Sequence, residues 1–80
     1  MILPSKSISP NRALLTISGI VFDELSEPKT VSSLWDLIRR RFAEQPISYG
    51  WFILSVDLLF LMNLVWFDQV GLLHRARGTG

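Results

Sequence analysis

SYGWFILSVDLLFLMNLVWFDQVGLLHR, residues 48–75, joins an apolar run to a polar turn and a second short apolar run. Ser48 has the hydroxyl that suits a helix N-cap, so a helix is predicted from Tyr49 to about Met62. Leu64-Val65-Trp66-Phe67 is rich in β-branched and aromatic residues, which favour a strand. Asp68-Gln69-Val70-Gly71 supplies turn chemistry, with Gly71 free to take positive φ. Leu72-Leu73-His74-Arg75 then returns as the partner strand. The stretch therefore reads as a helix followed by a β-hairpin.

Working toward the N-terminus, Gln45-Pro46 ends a preceding helix over about Ser33–Glu44, since proline cannot continue the hydrogen-bond ladder. Leu34, Ile38 and Phe42 form its buried stripe, with Trp35 beside them. Ser32 or Ser33 is its expected cap, and Ser33-x-x-Asp36 approximates a capping box. Glu27-Pro28-Lys29 separates it from a first helix, and Thr30-Val31 is a candidate for a very short strand. Ser9-Pro10 marks the start of that first helix, which runs to about Leu25 with Leu14, Ile17, Val21 and Leu25 as its stripe. Gly19 inside it costs roughly 1 kcal/mol against alanine, which points to close helix packing there. Residues 1–8, with Pro4, read as an extended arm, 9–75 as one domain and 76–80 as a disordered tail. Helix, short strand, helix, helix and hairpin is the order of a winged helix-turn-helix, a mainly α (α+β) fold.

Eighty residues hold one domain with a marginal core. Small domains commonly add a disulfide or metal staple, but the chain has no cysteine and one histidine, His74. Disulfides, a thiol nucleophile and a cysteine or histidine zinc site are thereby excluded. Asp23, Glu24, Glu27, Asp36, Glu44, Asp57 and Asp68 show no metal-ligand spacing, and no glycine-rich loop cradles a phosphate. No catalytic, cofactor-binding or metal-binding residue is expected, and a lone strand histidine is ordinarily a surface residue. With 49% hydrophobic residues, three Trp and five Phe, the remaining staple is a partner surface. The net charge of +1 makes no bulk argument for nucleic acid. The N-terminus lacks the apolar region and cleavage site of a signal peptide, and the cytoplasm is the expected compartment.

The third helix carries the functional argument. A DNA-reading helix needs Arg, Lys, Asn or Gln on its outer face, and this one has none before Asn63. Phe52, Val56 and Leu59 make one stripe, while Leu54, Leu58 and Leu61 make another on the opposite side. A helix apolar nearly all round is buried on more than one side. The cover is a second chain, a bilayer, or simply the other elements of the fold. Trp51, Leu54, Asp57, Leu58 and Leu61 are the partner-binding candidates on this helix, with Pro4 and Lys6 on the arm. For a membrane span, Trp51–Phe67 offers 17 residues without Lys, Arg, Glu or His, at the short limit of about 20. Asp57 near its middle would cost roughly 2.5–3.5 kcal/mol on insertion scales, and basic residues on both flanks give no orientation bias. Arg39, Arg40 and Arg41 fan over about 200° of a helix, which is usually a solvated face. With Arg75 and Arg77 they are weak nucleic-acid candidates, fit for non-specific phosphate contact. A small winged-helix DNA-binding regulator and a single-span membrane protein stay open as alternatives to a protein-binding module.

Leu3-Pro4-Ser5-Lys6, Ser9-Pro10-Asn11-Arg12-Ala13-Leu14-Leu15, Glu27-Pro28-Lys29-Thr30-Val31-Ser32-Ser33-Leu34-Trp35 and Trp51-Phe52-Ile53-Leu54-Ser55-Val56-Asp57-Leu58-Leu59 carry a family resemblance. Over about residues 3–75 the chain resembles the small middle components of bacterial ABC three-component systems, which include the small subunit of Lamassu-type anti-phage systems. The resemblance implies three further expectations. The partners are an SMC-like ABC ATPase and an effector subunit, often a nuclease. The chain sits with the ATPase heads much as a kleisin's winged helix does. It helps couple DNA sensing to the effector, touching DNA only indirectly or non-specifically.

Overall fold

The computed structural model describes residues 10–76; the N-terminal arm with Pro4 and Lys6, the cap position Ser9, and Arg77 lie outside the described residues. Three helices, α1 (Pro10–Asp23), α2 (Val31–Arg41) and α3 (Tyr49–Leu61), precede the antiparallel strands β1 (Val65–Phe67) and β2 (Leu73–Arg75). The strands pair in the register Val65↔Arg75, Trp66↔His74 and Phe67↔Leu73. On the other edge of β2, an isolated antiparallel bridge joins Lys29 to Leu73, with Leu73 N–H donating to Lys29 O at 2.7 Å. This is the winged-helix order expected from the sequence.

The short strand falls at Lys29 rather than Thr30-Val31, because Thr30 is already engaged in starting α2. Its side-chain oxygen accepts from Ser33 N–H at 3.1 Å, making Thr30 the N-cap. The expected cap at Ser32 or Ser33, and with it the Ser33–Asp36 capping box, is overturned: both serines already lie inside the helix. α2 also ends earlier than Glu44, because the backbone of Phe42 leaves the helical region at φ −104°, ψ 30°. Ser48 caps α3 as expected, accepting from Trp51 N–H.

The stop of α3 has a definite cause. Asn63 adopts φ 60°, its N–H donates to Phe60 O, and Leu64 N–H reaches back to Leu59 O at 2.9 Å. That pair of bonds with a left-handed residue is a Schellman ending, a position asparagine tolerates better than most residues. The apolar run Trp51–Phe67 is thereby split into a helix and a strand. Among the described residues, no helix is long and apolar enough to cross a membrane.

The core gathers Ile17, Val21 and Leu25 from α1 and its exit, Leu34 and Ile38 from α2, Phe52, Val56 and Leu59 from α3, and Val65 and Leu73 from the hairpin. Ala13 is fully buried where Leu14 was expected, and Leu14 is only half-buried. Small residues mark the crossing of α1 and α3: Ser18 Oγ bonds Leu14 O at 2.8 Å and lies 3.4 Å from Ser55 O. Ser55 Oγ in turn donates to Trp51 O at 2.9 Å. Both hydroxyls are thus satisfied by their own helix, so burying them incurs no unpaired-donor penalty. Gly19 does not provide this close approach. It is exposed, and an added Cβ there would meet nothing within 4 Å.

Candidate partner-binding surface

Two contacts set the rotation of α3. Phe52 is fully buried, with its ring 5.1 Å from that of Trp35 on α2, and Ser55 meets Ser18 of α1. At about 100° per residue, those positions, with Val56 and Leu59, place one stripe inward. Gly50, Leu54, Asp57 and Leu61 then face away from the core, and all four are exposed. Leu54 keeps 50% and Leu61 80% of its surface open. Leu58 and Trp51 are half-buried on the flank nearer Ser55. The structure therefore brings Leu54, Asp57 and Leu61 together on one face and sets Leu58 and Trp51 at its edge.

The hairpin adds apolar surface that alternation along β1 alone did not reveal. Trp66, Phe67 and Val70 are exposed, as is Met62 at the end of α3. Phe67 packs on Phe60 with centroids 5.3 Å apart, so the hairpin is docked on α3's last turns. Trp66 stands on the face of the hairpin turned from the core, whereas Phe67 shares the face of Val65 and departs from alternation by staying 45% exposed.

Asp68 organises the turn. Its Oδ1 accepts from Val70 N–H and Leu72 N–H at 3.0 and 2.9 Å, and its Oδ2 lies 2.7 Å from His74 Nε2. The hydrogen bond with His74, then that from Leu72, pulls the Asp68 carboxyl below its ordinary pKa, against a smaller opposing effect of burial. His74 also stacks on Trp66, centroids 4.2 Å apart. The histidine thus has a structural position within the hairpin.

The basic residues do not form one patch. Arg39 pairs with Asp36 at 2.7 Å, and Arg40 Nε donates to Asp36 O. Arg41 turns the other way, to Glu24 at 2.7 Å and Asp23 at 3.6 Å. The Glu24 hydrogen bond is the main reason the Arg41 pKa is raised. Arg75 donates to Phe22 O at 3.2 Å and sits 4.5 Å over the Phe22 ring. Arg41 and Arg75 therefore hold α2 and β2 against the C-terminal end of α1, where cations also complement the helix dipole. Among the described residues, no group of three or more His, Asp or Glu is placed to hold a metal ion.

These features define a small winged-helix-like module whose third helix turns leucines, not base-reading groups, outward. The family described as ABC-three component (ABC-3C) system Middle Component 6 matches residues 3–76. The chain belongs to that family, and so is a component of a multi-protein system. Neither a curated protein nor a solved structure matches it.

Proposed function

We propose that this chain is a non-catalytic adaptor of the cytoplasm that binds the head region of an SMC-like ABC ATPase and helps couple it to an effector nuclease in an anti-phage defence complex. The observation that carries the reading is the outward face of α3, where Leu54 and Leu61 stay exposed in a chain of a middle-component family. Open apolar surface of this kind on a small monomer marks an interaction site. Trp66, Phe67 and Val70 on the hairpin enlarge it. The ATPase heads and the Lamassu-type and kleisin-like roles come from the resemblance of residues 3–75 to those systems. DNA contact is indirect or non-specific in this reading, because Arg41 and Arg75 are occupied by α1 and α3 presents no cation.

Co-expression tests it. The chain is expected to co-elute with the ABC ATPase of its own system in size-exclusion chromatography. Leu54→Asp is expected to abolish co-elution while lowering the melting temperature only by the roughly 4–8 °C that about 1 kcal/mol of helix propensity and half-covered surface costs. Co-elution that survives both Leu54→Asp and Leu61→Asp would move the interface away from α3. Tight sequence-selective DNA binding by the isolated chain would favour a regulator instead.

A further inference from the structure

The outward face of α3 is apolar except at one point. Leu54, Asp57 and Leu61 follow at i, i+3 and i+7, so the carboxylate lies between two exposed leucines, one turn from each. Asp57 is the only charged residue in α3. Gly50, one turn before Leu54, is exposed, and a Cβ added there would meet only Ser48 Oγ, at 3.7 Å. Neither backbone conformation nor internal packing requires glycine at Gly50, in the first turn after the Ser48 cap. A missing side chain on the outer face is what lets another backbone come close.

From this geometry we infer that the occupant of α3's outer face is a partner α-helix that sets a lysine or arginine, flanked by apolar residues, opposite Asp57. The inference rests on the reading of this face as the docking surface. Any partner that covers both leucines also takes Asp57 out of water, and a buried carboxylate must be paired. Among the described residues no cation of this chain pairs with Asp57, so the partner supplies it. A second copy of this chain packed on the same face about a two-fold axis would bring one Asp57 toward the other, like charge against like. A bilayer has no cation for the carboxylate at that depth. Duplex DNA would repel it. A helix fits the spacing, because Leu54 and Leu61 stand about 10 Å apart along the axis at 1.5 Å per residue, and ridge-into-groove packing matches leucines one to two turns apart.

The test uses the full chain co-expressed with the ABC ATPase of its own system, with dissociation constants measured at low and high salt. Asp57→Asn is expected to weaken binding at least about 30-fold, the scale of removing one partner of a buried charge pair. Asp57→Arg is expected to abolish binding, and one Lys→Glu or Arg→Glu change on an apolar ATPase helix is expected to restore it. Unchanged urea midpoints for both variants separate binding from folding, as Asp57 is exposed. If Leu54→Asp abolishes binding while Asp57→Asn and Asp57→Arg bind normally, the cation inference is overturned and the docking surface stands. If all three variants bind normally, both fail. If the chain alone forms a dimer that Leu54→Asp dissociates, the occupant is a second copy and the inference is overturned.

Discussion

Leu59 and Leu61 are the same residue on the same helix two positions apart, yet one is 2% and the other 80% exposed. Truncating each to alanine isolates burial from chemistry. Leu59→Ala removes three carbons from the core, about 2.4 kcal/mol at roughly 0.8 kcal/mol per carbon. The cavity left in the core raises this to about 3 kcal/mol, inside the usual range of about 2–5. A domain of this size has a total stability on the order of 4–12 kcal/mol, so the loss is a large share. It corresponds to a fall in melting temperature of roughly 12–24 °C. Leu61→Ala forfeits only the small covered part of its surface and gains slightly in helix propensity, so its net effect is within about 0.5 kcal/mol. Thermal and urea unfolding, followed by far-UV circular dichroism on the chain fused to a solubility domain, reads both. Equal losses would mean that α3 is buried on both sides within the monomer. A loss above about 1 kcal/mol for Leu61→Ala with none for Leu59→Ala would mean that the helix is rotated by half a turn, and the argument from its outer face would collapse.

Thr30→Ala is expected to cost about 1 kcal/mol by removing the α2 cap, whereas Ser33→Ala should leave the cap intact; the reverse ranking in urea midpoints would restore the Ser33 cap. Asp68 has a folded-state pKa below its unfolded value, so its contribution is fully present above the unfolded pKa of about 3.9 and is lost as pH falls through the folded one. Trp66 emission should therefore report hairpin loosening below about pH 4, and Asp68→Asn should remove that acid limb; an acid limb unchanged in the variant would refute the role of Asp68. Replacing Arg39, Arg40 and Arg41 by Gln should alter DNA affinity of the assembled complex weakly and equally for all sequences; a changed sequence preference would revive the regulator reading. The Arg41 change should also lower stability slightly, and less so at high salt, since its pairs with Glu24 and Asp23 are exposed.

The element order was legible because it is written in local chemistry. Pro28 and Pro46 mark the two connections between helices, although α1 and α2 stop before them, at Asp23 and Arg41; Ser48 carries the capping hydroxyl, and Asp68 to Gly71 carries the turn. The buried Leu34 and Ile38 of α2 follow from side-chain period, and the want of base-reading groups on α3 from its composition. What stayed illegible depends on contacts between elements far apart in the chain. α3 is apolar on all sides, so its period cannot say which side is inward; Trp35 against Phe52 and Ser18 against Ser55 decide that. The same crossing moves α1's buried face to Ala13 and leaves Gly19 in solvent. Thr30, not Ser33, takes the cap, directly after the bridge that joins Lys29 to Leu73. Arg41 and Arg75, read in isolation as cations free for phosphate, are drawn to Glu24, Asp23 and Phe22 once the end of α1 lies beside them. Local propensity acts within a few residues, whereas the choice of face, and with it the surface left for a partner, is a property of the packed whole.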